Sequence, residues 1–137
     1  MKKIYFTHCS ATKDLSLKLS NKFVTPDKLY TAIPTQRFMK RCKENKVKWA
    51  IFSDKYGIWF NNTKNLWYEK DPNTITEQEF NILLDDFNSK LKEFDEIYFY
   101  HNPGRFHQLY KELLDKTILR NKIKFITHLN EITETTI

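Results

Sequence analysis

The segment Val47-Lys48-Trp49-Ala50-Ile51-Phe52-Ser53 decides the fold. Apart from Lys48 and the closing Ser53 it is a continuous run of aromatic, β-branched and small apolar residues, of strand rather than helix length. A strand with one wet face alternates. A run like this one belongs to a strand covered on both faces, as in a parallel sheet. Working outward, Lys3-Ile4-Tyr5-Phe6-Thr7-His8, Glu96-Ile97-Tyr98-Phe99-Tyr100 and Lys122-Ile123-Lys124-Phe125-Ile126-Thr127 are further β-prone runs. Between them lie helical patterns. Pro34 suits the first turn of a helix to about Asn45, with Phe38 and Cys42 on one face and Arg37, Lys40 and Arg41 as a basic flank. Thr76-Glu77-Gln78-Glu79 has the capping-box pattern, and Phe80, Leu83, Leu84, Phe87 and Leu91 follow at helical spacing. His101-Asn102-Pro103-Gly104 turns the chain into a third helix, with Phe106, Leu109, Tyr110, Leu113 and Leu114 inward. The alternation predicts an α/β fold: a three-layer open sheet of about four mainly parallel strands with helices on both faces. Residues 54–75 are expected to form a long loop, with Trp59 and Phe60 pinning it to the core.

The 137 residues contain no linker, repeat or low-complexity stretch, so 1–137 is expected to be one domain. No apolar run is long enough to span a bilayer, which argues against a membrane partner. The basic pair Lys2-Lys3 is followed by too short an apolar stretch for a signal peptide. Cys9 and Cys42 form no framework spacing. Both are therefore expected to be reduced thiols in a cytoplasmic protein. No zinc spacing, Gly-rich dinucleotide fingerprint, Walker loop or nucleophile elbow occurs, so neither a metal nor a cofactor is expected. A net charge of +6 permits a polyanionic partner such as a nucleic acid, although scattered surface lysines would give the same total.

In open α/β sheets ligands bind beyond the carboxyl ends of the strands. Here polar, chemically capable residues follow every strand. Cys9-Ser10-Ala11-Thr12-Lys13 comes first. A thiol at a strand end beside an ammonium favours the nucleophilic thiolate, and Ser10 and Thr12 add hydroxyls. The plain alternative is a buried small Cys9 and a solvated Lys13. Ser53-Asp54-Lys55-Tyr56-Gly57 ends the strongest strand. Gly57 permits a positive φ, and Lys55 and Tyr56 are placed to meet a phosphate and a base, or simply to form a tight turn. In Trp67-Tyr68-Glu69-Lys70, Tyr68 offers a stacking ring and Glu69 an acid or base, unless the rings only anchor the loop. His101, Asn102, Gly104 and Arg105 open a helix, which suits an anion.

Taken together, these segments resemble a small family of bacterial, archaeal and phage domains of unknown function. That family opens with a strand and Cys-Ser-x-x-Lys, then a Leu-Tyr pair, Trp-x-Ile-x-Ser-x-Lys-x-Gly, a Tyr-Glu element, and a late Gly-Arg/Lys-x-Tyr-like stretch. The matching residues are Cys9 to Lys13, Leu29-Tyr30, Trp49 to Gly57, Tyr68-Glu69-Lys70 and Gly104-Arg105-Phe106, with Phe106 where Tyr is usual. The likeness covers residues 4–114, and through it Tyr30 joins the expected ligand-binding set. More distantly the chain is similar to the catalytic core of archaeosine synthase, which modifies a nitrile-bearing deazapurine in transfer RNA. Cys9 and Lys13 fit that signature. Asp14, Leu15, Lys18 and Asn21 stand where it has Pro, Tyr, Ser and His. More remotely still the chain resembles the YaaA-type proteins, a likeness that points toward DNA.

The Cys9/Lys13 pair, the convergence of polar residues at one rim and the two likenesses together point to an enzyme directed at a nucleobase or nucleotide, free or within a nucleic acid. Cys9 would be the nucleophile, Lys13 would activate it or hold phosphate, and Glu69 would move protons. Ser53 and Lys55 would position the ligand. The alternatives are a non-catalytic nucleotide- or nucleic-acid-binding module resting on Arg37, Lys40 and Arg41, and an accessory sensor.

Overall fold

The computed structural model describes residues 2–101 and 107–133. In chain order the elements are β1 (Lys3–His8), α1 (Pro26–Leu29), α2 (Ile33–Glu44), β2 (Trp49–Ser53), β3 (Gly57–Phe60), α3 (Glu77–Leu91), β4 (Glu96–Tyr100), α4 (Gln108–Lys116) and β5 (Ile123–Ile126). The fold is mixed α/β around a mostly parallel five-stranded sheet, ordered β3-β2-β1-β4-β5. β1 pairs in parallel with β2 on one side and β4 on the other, and β4 pairs in parallel with β5.

The expected strand count is short by one. Residues 57–60, assigned to the long loop, form β3, which pairs antiparallel with β2 from Ser53↔Gly57 to Ala50↔Phe60. The tight turn uses Gly57 at φ +72°, a backbone region that residues with a Cβ seldom adopt. A Cβ there would also stand 2.1 Å from an Asp86 carboxylate oxygen. That same oxygen accepts the Ile58 N–H at 2.8 Å and so fixes the hairpin to α3.

Strand periodicity sorts the core into two clusters. Ile4, Phe6, Ala50, Phe52, Ile97 and Phe99 pack with Leu83, Phe87 and Leu91 of α3 and Leu109, Tyr110 and Leu113 of α4. Their neighbours Tyr5, Trp49 and Ile51 pack with Phe38, Met39 and Cys42 of α2, joined by Tyr30, Trp59 and Tyr68. α2 begins with Pro34 in its first turn, and α3 has the full capping box from Thr76 and Glu79. No described helix is long and apolar enough to cross a membrane.

The chain order carries a consequence for function. From β1 the chain passes through α2 to β2 on one side, and later returns through α3 to β4 on the other. The strand order therefore reverses between β1 and β4. Connections diverge there, and a crevice opens at the carboxyl ends of the two strands.

Candidate functional site

A cavity of about 210 Å³ lies over those strand ends. His8, Cys9, Ser10, Ala11 and Lys13 supply its β1 side, and Asp54 comes from the end of β2. Ala32, Pro34 and Thr35 come from the start of α2, Lys70 and Pro72 from the long connection, and His107 and Tyr110 from the start of α4.

Each of these is held by local structure. Cys9 continues the β1–β2 ladder, donating its N–H to Phe52 O at 2.8 Å. Ser10 folds back, its hydroxyl oxygen accepting Thr12 N–H at 3.2 Å. Lys13 is fixed by a short antiparallel bridge to Tyr30, flanked by Asp14 N–H to Leu29 O at 2.8 Å and Thr31 N–H to Thr12 O at 3.2 Å. Backbone pairing with Leu29-Tyr30 thus sets where Cys9 to Lys13 stands. His107 caps α4 by accepting Leu109 N–H on Nδ1 at 3.0 Å, so its proton lies on Nε2, which meets Asn73 Oδ1 at 2.8 Å.

At the cavity floor the sulfur of Cys9 is 3.0 Å from Tyr110 Oη and 3.7 Å from Asp54 Oδ1, the thiol donating to the carboxylate. The His8 and Tyr110 rings stack at 5.4 Å. The electrostatics differ from the expectation that Lys13 would promote a thiolate. Burial pushes the Cys9 thiol up to about 11, the Asp54 charge adds to the rise, and the Tyr110 hydroxyl opposes it. The thiol is therefore protonated near neutral pH. Burial likewise raises the Asp54 carboxyl above its ordinary value, and Lys13 opposes that rise. The ammonium supports the carboxylate rather than the sulfur. Its Nζ sits 4.5 Å from the centre of the Tyr68 ring, a cation–π contact.

Several expected ligand contacts lie beneath the cavity instead of on its wall. Ser53 and Tyr30 are fully buried and Tyr68 nearly so. Tyr68 Oη meets Tyr30 Oη at 2.5 Å and accepts from Ser53 Oγ at 3.0 Å. Ser53 Oγ in turn accepts the N–H groups of Lys55 and Tyr56 at 3.1 and 3.0 Å. The Tyr68 ring, expected as a stacking surface, is thus packed into the core with Lys13 over it. Tyr56 donates its hydroxyl to Leu66 O at 3.0 Å and anchors the connection. Glu69 and Lys55 are exposed and line a neighbouring groove that shares Asp54 and Lys70 with the main cavity. In the cavity, the carboxylate next to the thiol is Asp54, not Glu69. Thr12 is exposed beside the cavity. His101 is half-buried, with its N–H bonded to Ile126 O at 2.9 Å. Asn102, Gly104 and Arg105, together with the inward placement of Phe106, lie outside the described residues.

The sequence reads His107 as a helix-surface residue, whereas it caps α4 and lines the cavity, and Tyr110 and Thr35 are not singled out as site residues. Tyr110 was readable only as an inward helix position. A tyrosine on an inward face does carry a hydroxyl that needs a partner, and here the partner is Cys9. Arg41 is the reverse case. Its guanidinium donates to Ile132 O at 3.0 Å and Asn130 O at 3.5 Å, tying the end of the chain to α2 rather than joining an open basic flank.

No family model matches the chain, and no curated protein or solved structure is detectably similar to it.

Proposed function

We propose that the protein is a nucleobase- or nucleotide-directed enzyme whose nucleophile is Cys9. One observation carries this reading. The Cys9 sulfur stands within reach of both a carboxylate and a phenol, at the floor of a cavity over the strand-order reversal. A protonated thiol needs a base at the moment of attack, and the raised carboxyl of Asp54 is the neighbouring one. The step is addition of the thiol across an electrophilic C=N or nitrile bond. Sulfur bonds to carbon and the C–N π pair moves to nitrogen. The thiol proton passes to Asp54 and on to that nitrogen, so the addition is proton-neutral. Lys13 opposes the rise of the Asp54 carboxyl and so favours its ionised form. A cavity of this volume holds about seven waters at ~30 Å³ each, room for one heterocycle with the rest of the ligand extending outward. The resemblance to base-modifying enzymes names the same class of substrate.

Intact-mass spectrometry of protein incubated with nitrile-bearing and ring-electrophilic nucleobases tests the proposal. An adduct on Cys9, absent from Cys9→Ala, is expected. Labelling that persists in Cys9→Ala, or no adduct with any base, overturns it. The non-catalytic nucleic-acid reading keeps the exposed Arg37 and Lys40, which line a shallow groove on α2, but loses Arg41 to its backbone contacts.

A further inference from the structure

The start of α2 forms the cavity wall facing the strand ends, and it is incomplete in a specific way. Its N-cap is Ala32, which has no side-chain oxygen to cap with. The first intrahelical bond runs from Gln36 N–H to Ala32 O, and Pro34 has no N–H at all. That leaves the amides of Ile33 and Thr35 as first-turn donors without a capping side chain, at the positive end of a 12-residue helix.

A second observation is independent of the helix end. Thr35 is 7% exposed and lines the cavity, yet its hydroxyl makes no hydrogen bond among the described residues. The residue is nearly buried but its hydroxyl is not sealed inside the protein, so a ligand in the cavity can serve as its partner. Pro34 and Thr35 also close a recess of about 20 Å³ against Thr7, His8 and Tyr100, which places the α2 start over the β1–β4 crevice itself.

The charges around the cavity agree. Lys13 belongs to none of the described ion pairs, whereas Lys70 on the same cavity is held by Glu79. The only carboxylate lining the described cavity is Asp54, at the end of β2 beside Cys9. The cavity is thus polarised, with a proton acceptor at the thiol and hydrogen-bond donors at α2.

We propose that the first turn of α2, with the Thr35 hydroxyl and Lys13, is an oxyanion subsite that holds the phosphate of the ligand whose ring meets Cys9. The oxyanion chemistry follows from the donors. Naming phosphate over carboxylate rests on the nucleotide reading given above. A tetrahedral phosphate accepts from several convergent donors at once, which is what a helix start with an adjacent hydroxyl offers.

The test is thermal-shift and calorimetric titration of the full chain with inorganic phosphate at constant ionic strength, with acetate as a parallel arm. Wild type, Thr35→Val, Thr35→Ser, Lys13→Met and Cys9→Ser are compared. Wild type is expected to be stabilised saturably by phosphate and much less by acetate. Thr35→Val and Lys13→Met should each weaken phosphate by about tenfold, while Thr35→Ser and Cys9→Ser keep it. Equal phosphate binding by wild type, Thr35→Val and Lys13→Met overturns the subsite, as does no saturable binding. Acetate binding without phosphate binding overturns the phosphate assignment. Failure of Cys9 to form adducts with phosphate binding intact removes the enzymatic reading and leaves the subsite standing. Adducts without phosphate binding do the reverse.

Discussion

The two faces of the sheet bury rings of different kinds. Toward α3 and α4 the buried rings are Phe6, Phe52, Phe87, Phe94 and Phe99, with Tyr110 at the cavity end. Toward α2 they are Tyr5, Tyr30, Trp49, Trp59 and Tyr68, with Phe38. Phenylalanine asks only for contact. Tyrosine and tryptophan bring polar atoms that must be paired when buried, and the pairing constrains the chain. On the α2 face Trp59 Nε1 donates to Thr63 O at 2.7 Å, Tyr56 Oη to Leu66 O at 3.0 Å, and Tyr30 and Tyr68 share a hydroxyl contact. Those bonds fasten the segments around 30 and 56–68 under the cavity. One face supplies cohesion, and the other positions the site.

That division predicts unequal responses to mutation. The largest loss belongs to the phenylalanine face. Phe87 is fully buried and meets Phe6 edge-on at 5.6 Å and Phe52 at 5.8 Å. Phe87→Ala removes a ring from the centre of that cluster and should cost about 3–5 kcal/mol in urea denaturation. A cost near that of an exposed substitution would show that this face does not carry the fold.

A smaller loss is expected under the cavity. Tyr68→Phe keeps the ring but leaves the Tyr30 and Ser53 hydroxyls short of a partner. The expected cost is about 1–3 kcal/mol. Tyr30→Phe should cost a similar amount, and the double variant less than the sum, because both remove the same contact. Strict additivity in the double-mutant cycle would dissolve the distinction between the faces.

The same contrast explains what the sequence could reveal. Apolar runs and capping signals are local, so β1, β2, β4, β5 and α2 to α4 were legible within a few residues. β3 was not. Gly57-Ile58-Trp59-Phe60 is short, and its pairing depends on a turn whose geometry Asp86 fixes from α3, far along the chain. The site divided in the same way. Following β1 and β2 to their ends brought Cys9, Lys13 and Asp54 to one rim. Whether a tyrosine in the long connection faces a ligand or the core depends on partners at positions 30 and 53, and no local pattern encodes them. The Cys9–Tyr110 contact likewise joins residues on different elements that share no sequence neighbourhood.

The last difference between regions is the finest, and it separates the two cysteines. Cys42 is fully buried on α2, where burial alone raises its thiol, opposed by Arg41. Cys9 is raised by burial together with the charge of Asp54, to about 11. Only the second cause can be removed by one isosteric change. Asp54→Asn deletes the negative charge beside the sulfur, so the thiolate becomes easier to form and the pKa of Cys9 falls. At a fixed pH well below that pKa, each unit of fall multiplies the thiolate fraction about tenfold. Alkylation of Cys9 by iodoacetamide should then be faster in Asp54→Asn than in wild type near pH ~8, with Cys42 unchanged in both. In wild type the Cys9 rate should climb with pH toward about 11, and the variant's curve should lie at lower pH. The same variant should lose adduct formation with nitrile-bearing bases, because the proton acceptor is gone while the thiolate is more abundant. Faster alkylation with slower adduct formation is the signature of a base acting on the bound ligand. A rise in both would mean that Asp54 only suppresses the thiol, and that another group receives its proton.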